Sequence, residues 1–173
     1  NDSLDYFQAV TVSAWIKPES VTGHRSFMSK WGQKSEGWEW DFYINDGKLT
    51  LMLNAEDSDC GNDEHLAWID LRLIQANQWT HVAGTYDGTK IRLYINGTEY
   101  AVSSQSKMPV AELCDTGEKM RLGVSGYYEN DFLGWVDEVK ASNYARSSKE
   151  VCEKDTNFKW MNQRSSCVAV DFD

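Results

Sequence analysis

Apolar and polar residues alternate one by one through much of this chain, and that period admits strands and little else. Val10-Thr11-Val12-Ser13-Ala14-Trp15-Ile16 alternates until Lys17-Pro18 stops it. Trp38-Glu39-Trp40-Asp41-Phe42-Tyr43-Ile44 sets Trp38, Trp40, Phe42 and Ile44 on one face. A strand sends successive side chains to opposite faces, so segments of this kind are half-buried β structure. Asn45-Asp46-Gly47-Lys48 is turn chemistry, and residues 49–53 return as the hairpin partner. Residues 80–86, 91–95 and 99–102, parted by Asp87-Gly88 and Asn96-Gly97, read as a three-stranded meander. Residues 120–124 and 133–140 supply two more strands. No long segment has the helical period. Ser147, with Glu150 three residues on, is a cap signal for a short helical turn. Many short strands without helices predict an all-β sandwich or barrel.

The 173 residues fit one domain, 1–173, with no linker, repeat or low-complexity stretch. Hydrophobic residues are 41% and charged residues 25%, which excludes a disordered or collagen-like chain. No apolar run approaches the ~20 residues that cross a bilayer, so no membrane insertion is expected. The chain begins at Asn1 without a signal-peptide pattern and reads as a mature or excised piece. Seventeen Lys and Arg stand against 27 Asp and Glu, a net charge of −10. That field repels nucleic acid and anionic membranes, so neither is an expected partner. The acid excess reads either as a solvated surface or as carboxylates for a hard cation such as Ca²⁺.

Cysteines stand at 60, 114, 152 and 167, without a C-x-x-C pair, and the histidines are scattered, so zinc is poorly supported. The even count suggests two disulfides and an oxidising compartment. Three connectivities are open; the expected one is Cys60 with Cys114 and Cys152 with Cys167. The second would close the tail from about residue 152. Two N-x-S/T sequons, at Asn1 and Asn96, permit glycosylation, and the second reads equally as a hairpin turn.

Four pieces, in order, resemble the laminin-G-like branch of the concanavalin A-like lectin/glucanase jelly rolls. They are Thr11-Val12-Ser13-Ala14-Trp15-Ile16-Lys17-Pro18; Trp79-Thr80-His81-Val82-Ala83-Gly84-Thr85-Tyr86-Asp87-Gly88; Leu93-Tyr94-Ile95-Asn96-Gly97; and Leu133-Gly134-Trp135-Val136-Asp137-Glu138-Val139 with Arg146-Ser147-Ser148-Lys149-Glu150. The resemblance covers about residues 5–151. It implies two antiparallel sheets packed face to face in a jelly roll, and a glycan- or protein-binding role outside the cell. It also implies a structural calcium near the joined chain ends, with Asp137 as a ligand. Asp2 and Asp5 would be its partners, because first and last strands pair in that fold.

The site candidates follow. Flat rings beside amides and carboxylates suit sugars, whose C–H faces stack and whose hydroxyls need polar partners. Trp31 in a Gly-flanked turn, Trp68 after the acidic loop, and Tyr127 and Tyr128 with Asn130 and Asp131 answer that description. Trp15 and Trp79 read as sandwich packing. The basic run from His24 to Lys34 reads as an edge for a sulfate or uronate, or as a balance to the acidic loop 56–64 in the folded state. The acidic run 56–64 reads as a solvated loop pinned by its disulfide.

Glu39 and Asp41 share a strand face, ~6.7 Å apart by strand rise, against the ~5–5.5 Å of a retaining glycosidase. The third carboxylate that glucanases of this superfamily carry is replaced by Tyr43 or Ile44, so no catalytic residue is assigned and the chain is not read as an enzyme. The expected function is a secreted, lectin-like carbohydrate-binding module with a structural Ca²⁺ and a glycan or glycoprotein partner. The alternatives are a protein-binding module for adhesion or filament assembly, and a polysaccharide-cleaving enzyme of the same fold.

Overall fold

The computed structural model describes residues 8–31, 37–54, 64–104, 113–125, 131–156, 158–161 and 166–169. Ten of the strands run β1 (Val10–Pro18), β2 (His24–Trp31), β3 (Trp38–Asn45), β4 (Lys48–Asn54), β5 (Glu64–Trp68), β6 (Thr80–Tyr86), β7 (Ile91–Ile95), β8 (Thr98–Tyr100), β9 (Ser103–Ser104) and β10 (Met120–Leu122). After them come β11 (Gly134–Ser142), helix α1 (Ser148–Asp155), β12 (Phe158–Met161) and β13 (Ser166–Ala169). They form a five-stranded sheet in the order β11-β1-β6-β7-β8 and a six-stranded sheet in the order β10-β2-β3-β4-β5-β9. β12 and β13 form a separate ribbon. The pairings are antiparallel, and the architecture is the expected two-sheet β-sandwich of jelly-roll type.

Alternation explains the core. Val10, Val12, Ala14 and Ile16 of β1 meet Trp40, Phe42 and Ile44 of β3 and Leu49, Leu51 and Leu53 of β4 in one cluster between the sheets. Each fully buried aliphatic or aromatic side chain there stabilises the sandwich by roughly 1.5–3 kcal/mol. The three expected hairpin turns are present, and two share one geometry. Asp46 and Gly47 have φ of 50° and 78°, and Asn96 and Gly97 have 50° and 72°. Two successive positive φ values are the type I′ geometry that matches strand twist, which is why Asn or Asp followed by Gly occurs there. The Asn96 side-chain oxygen accepts the His81 backbone N–H at 3.0 Å, so the Asn96 sequon is built into this turn.

Three features differ from the reading of the sequence. Residues 24–31 form β2, β5 extends the six-stranded sheet, and the tail beyond α1 contributes the β12–β13 ribbon. The Ser147 signal opens an eight-residue helix with a full capping box: Ser147 Oγ accepts the Glu150 N–H, and the Glu150 carboxylate accepts the Ser147 N–H. Val151 of α1 packs on Ala83 and Tyr94, the outer face of the five-stranded sheet. The Cys152–Cys167 disulfide closes the tail as expected, across 15 residues of sequence; in the chain-entropy model such a loop is worth about 3 kcal/mol. Cys114 is also disulfide-bonded; its expected partner, Cys60, lies outside the described residues. Among those residues no helix is long and apolar enough to cross a membrane.

Candidate functional site

The outer face of the six-stranded sheet holds Glu39 and Asp41. Because Trp40, Phe42 and Ile44 enter the core, these two carboxylates point the other way. Around these two carboxylates that face is closed: Glu39 is 2% exposed and Asp41 0%, and Ser29, Tyr43, Thr50 and Met52 beside them are buried too. Lys30 Nζ lies 2.8 Å from Glu39 Oε2, and the Thr116 N–H and hydroxyl donate to Glu39 Oε1 at 3.0 and 3.1 Å. Asp41 receives the Ser26 hydroxyl at 2.5 Å and faces His24 Nε2 at 3.0 Å. Burial pushes both carboxyls up, opposed by Lys30 and Thr116 at Glu39 and by His24 and Ser26 at Asp41. These are satisfied internal networks without access for a substrate.

Over its described part, His24–Trp31, the basic run is thus a strand of the sheet and not a solvent-facing edge, and Lys34 lies outside the described residues. His24 and Lys30 face carboxylates of the next strand, and His24 stacks on Tyr43 at 3.9 Å. Trp31 is likewise not in a turn. It ends β2, is 6% exposed, and stacks on Trp38 at 4.7 Å and 15°. Arg121 donates to its carbonyl oxygen. No broad ring face is open there.

Trp68 is placed differently. It ends β5, opposite Thr50 of β4 and Ser103 of β9, and is partly exposed. Its indole N–H donates to Asp70 Oδ1 at 2.8 Å. The Ser103 hydroxyl donates to Asp70 Oδ2 at 2.5 Å, and Lys48 Nζ lies 3.1 Å from Oδ1. These contacts, the Ser103 bond foremost, hold the Asp70 carboxyl at about 2, below the usual carboxylate range. The corner presents an aromatic ring, a fixed carboxylate, a hydroxyl and an ammonium to solvent. Asp70, Lys48 and Ser103 were missed because three separate segments bring them together. The one local signal is the Trp68-x-Asp70 spacing, which sets both on one side of extended chain.

Asp131 is exposed and bridges to Ser26 of β2. Three strand spacings separate β2 from β5, ~14 Å, so Asp131 and Trp68 do not share a site. Tyr127, Tyr128 and Asn130 lie outside the described residues, as do Asp2, Asp5 and most of the acidic run 56–64. Asp137 is exposed on β11, opposite Trp15, where the register shifts. Its Oδ1 accepts the N–H of Glu138, whose φ is +47°. Among the described residues no group of three or more His, Cys, Asp or Glu is placed to hold a metal, so Asp137 by itself does not make a calcium site.

Trp15 and Trp79 were expected to pack inside the sandwich, yet neither does. Ile16 and Val82 take the core positions, so Trp15 and His81, a cross-strand pair, lie on the outer face of the five-stranded sheet. Their rings meet edge to face at 5.5 Å. Burial, and then the nearby Lys140 charge, lower the His81 pKa to about 3, so its ring is neutral. Trp79 precedes β6 and is 43% exposed, and Trp135 of β11 is 51% exposed.

The laminin G model of the "Concanavalin A-like lectin/glucanases superfamily" matches residues 1–152. Pappalysin-1 of Mus musculus is 32% identical over 78 residues, 43% of this chain and 5% of that protein. Pappalysin-1 of Homo sapiens is 30% identical over 78 residues, 43% of this chain and 4% of that protein. The match thus spans about one-twentieth of these relatives' length. Among solved structures, the Ruminococcus gnavus IT-sialidase CBM40 bound to α2,3-sialyllactose superimposes with a TM-score of 0.62 at 18% identity, covering 86% of this chain and 82% of that one. The botulinum neurotoxin serotype D ligand-binding domain, in complex with N-acetylneuraminic acid, gives 0.61 at 18% identity, covering 87% and 37%. Domain 4 of AbnA, an extracellular GH43 arabinanase from Geobacillus stearothermophilus in complex with arabinotriose, gives 0.55 at 23% identity, covering 84% and 66%. These likenesses are of fold, the sandwich described above. With the family match running over residues 1–152, this chain belongs to the laminin G-like family of the concanavalin A-like lectin/glucanases superfamily.

Proposed function

We propose that this domain is an extracellular, lectin-like carbohydrate-binding module. The Trp68 corner carries the reading. A partly exposed indole lies beside a carboxylate that three other groups hold in place, Ser103, Lys48 and the indole N–H itself. Sugar rings need that combination of an apolar stacking face and fixed polar partners. The sandwich is shared with three domains solved with sugars bound, which supports the ligand class. The disulfide-bonded cysteines support an oxidising compartment.

The test is a glycan array followed by calorimetry on the best ligand. Trp68→Ala is expected to weaken binding several-fold, through the lost stacking face, and Asp70→Ala about tenfold or more, since a hydrogen bond to a charged group is worth ~1.5–3 kcal/mol. Asp70 is exposed, so its substitution should leave the melting temperature nearly unchanged. A wild type that retains no glycan, or binding indifferent to both changes, would falsify the reading.

The calcium reading is proposed separately, with Asp137, Asp2 and Asp5 as ligands. An ion that binds the folded state alone stabilises it by about 2.7 kcal/mol at a hundredfold excess over Kd. Chelation is then expected to lower the melting temperature by several degrees, and Asp137→Ala to abolish that effect. An unchanged melting curve in EDTA removes the ion from the account.

A further inference from the structure

The outer face of the five-stranded sheet is covered by the C-terminal helix around Ala83 and Tyr94. Toward Pro18 it is open. There Trp135 of β11 stands directly opposite Lys17 of β1. Trp79 immediately precedes Thr80, the partner of Ile16, and so stands beside Lys17 on the other flank. Ile16 is fully buried in the core and Thr80 is 4% exposed, so their neighbours Lys17 and Trp79 face outward. The result is a row, Trp135–Lys17–Trp79, laid across three strands. Its two indoles are about half exposed, and their backbones lie two strand spacings apart, ~9.6 Å. The Lys17 ammonium lies over the Trp135 ring, 5.1 Å from its centroid, which steadies that ring and leaves a ligand its other face and edge. Trp15, next along β1 on the same face, is braced edge to face by the buried His81.

We propose that Trp135, Lys17 and Trp79 form a second carbohydrate site, one that takes the flat faces of a neutral, extended hexose chain lying across the strands. It shares with the Trp68 corner the ligand class and nothing else, being on the other sheet. The spacing of chemistry along the row argues for a glycan. A linked hexose chain presents apolar C–H faces at intervals with hydroxyls between them, and the row presents stacking rings with a hydrogen-bond donor between them. A protein-docking patch instead concentrates contiguous apolar area and removes charge from its centre, whereas here an ammonium occupies the centre. The charge argues for a neutral glycan. The chain carries −10, and Asp137 and Glu138 are exposed on β11 within three residues of Trp135, so a polyanion meets net repulsion.

The test uses the intact chain titrated with cellohexaose, laminarihexaose and mannohexaose, followed by calorimetry and tryptophan fluorescence, with heparin as the polyanion arm. At least one neutral hexasaccharide is expected to bind and to change the tryptophan emission. Trp79→Ala and Trp135→Ala should each weaken that binding at least tenfold, and the double variant should abolish it. Trp68→Ala should leave it intact, which separates a failure here from a failure of the Trp68 corner. All three rings are at least partly exposed, and matched melting curves exclude unfolding as the cause of a loss. Three results overturn the proposal: no neutral oligosaccharide bound, neutral binding unchanged in the double variant, or heparin binding alone, lost in Lys17→Met. Retention of a protein partner through these tryptophans with no oligosaccharide bound overturns it as well and assigns the row to protein recognition.

Discussion

Replacing Lys30 with methionine is expected to destabilise the domain by about 3–5 kcal/mol, the range for removing one partner of a buried ion pair. Lys30 is 4% exposed and Glu39 2%, and their charged atoms are 2.8 Å apart. Methionine keeps most of the side-chain volume, so the loss comes from a carboxylate left in the interior without its cation. The Thr116 hydrogen bonds remain and cannot supply a charge. For a domain of this size that loss lowers the melting temperature by ~6–20 °C, at ~2–4 °C per kcal/mol.

Two controls assign the cause. Lys30→Met combined with Glu39→Leu should recover most of the stability, since a well-packed apolar pair often equals or exceeds a buried ion pair. Acid should also narrow the deficit. Glu39 is already raised by burial, and losing Lys30 raises it further. A carboxyl whose folded pKa lies above its unfolded value adds stability that is fully present below the unfolded pKa and is lost as pH rises through the folded one. The variant's deficit should therefore be largest near neutrality and shrink as pH falls toward the ordinary glutamate range. Urea titrations of the variants across that pH span measure this, and a pH-independent deficit would assign the loss to packing instead.

The second large effect is expected at Gly134, where β11 enters the sheet. Its φ is +147°, and a Cβ there would lie 2.3 Å from the Lys17 carbonyl oxygen and 2.9 Å from the Pro18 Cα. Both are backbone atoms of the paired strand, so neither can swing away. Backbone strain of this kind costs ~1–3 kcal/mol and overpacking ~1–3 kcal/mol more, so Gly134→Ala should destabilise by roughly 2–6 kcal/mol. Relief by displacing β11 moves Trp135 away from Lys17, and affinity for the neutral hexasaccharide should fall with stability. Denaturation and calorimetry on one preparation test both. Wild-type stability in Gly134→Ala would mean that β11 does not approach Lys17 this closely, and the geometry of the row would fall with it.

The strands of the sandwich were legible because alternation is a local property of a pleated backbone. Val12, Ala14 and Ile16, and Trp40, Phe42 and Ile44, mark their own inward face. The turns at Asp46-Gly47 and Asn96-Gly97 and the Ser147–Glu150 cap were legible for the same reason, since each is specified within four residues. β2 was not. His24-Arg25-Ser26-Phe27-Met28-Ser29-Lys30-Trp31 reads as a basic run until Asp41 and Glu39 of the neighbouring strand are brought alongside.

The site depended still more on tertiary structure. The sequence marks two faces on each strand but does not say which outer face will be covered. The structure buries Glu39, Asp41 and Trp31 behind the six-stranded sheet and leaves Trp79 and Trp135 open on the other. It draws Lys48, Trp68, Asp70 and Ser103 into one corner from positions as far as 55 residues apart in the chain. By itself, then, the sequence determined the strands, the turns, the helix cap and the sandwich class, because those follow from side-chain periodicity and short-range backbone preference. Only the tertiary structure decided which carboxylates are buried and which rings meet solvent, because burial is set by non-local packing of one element on another.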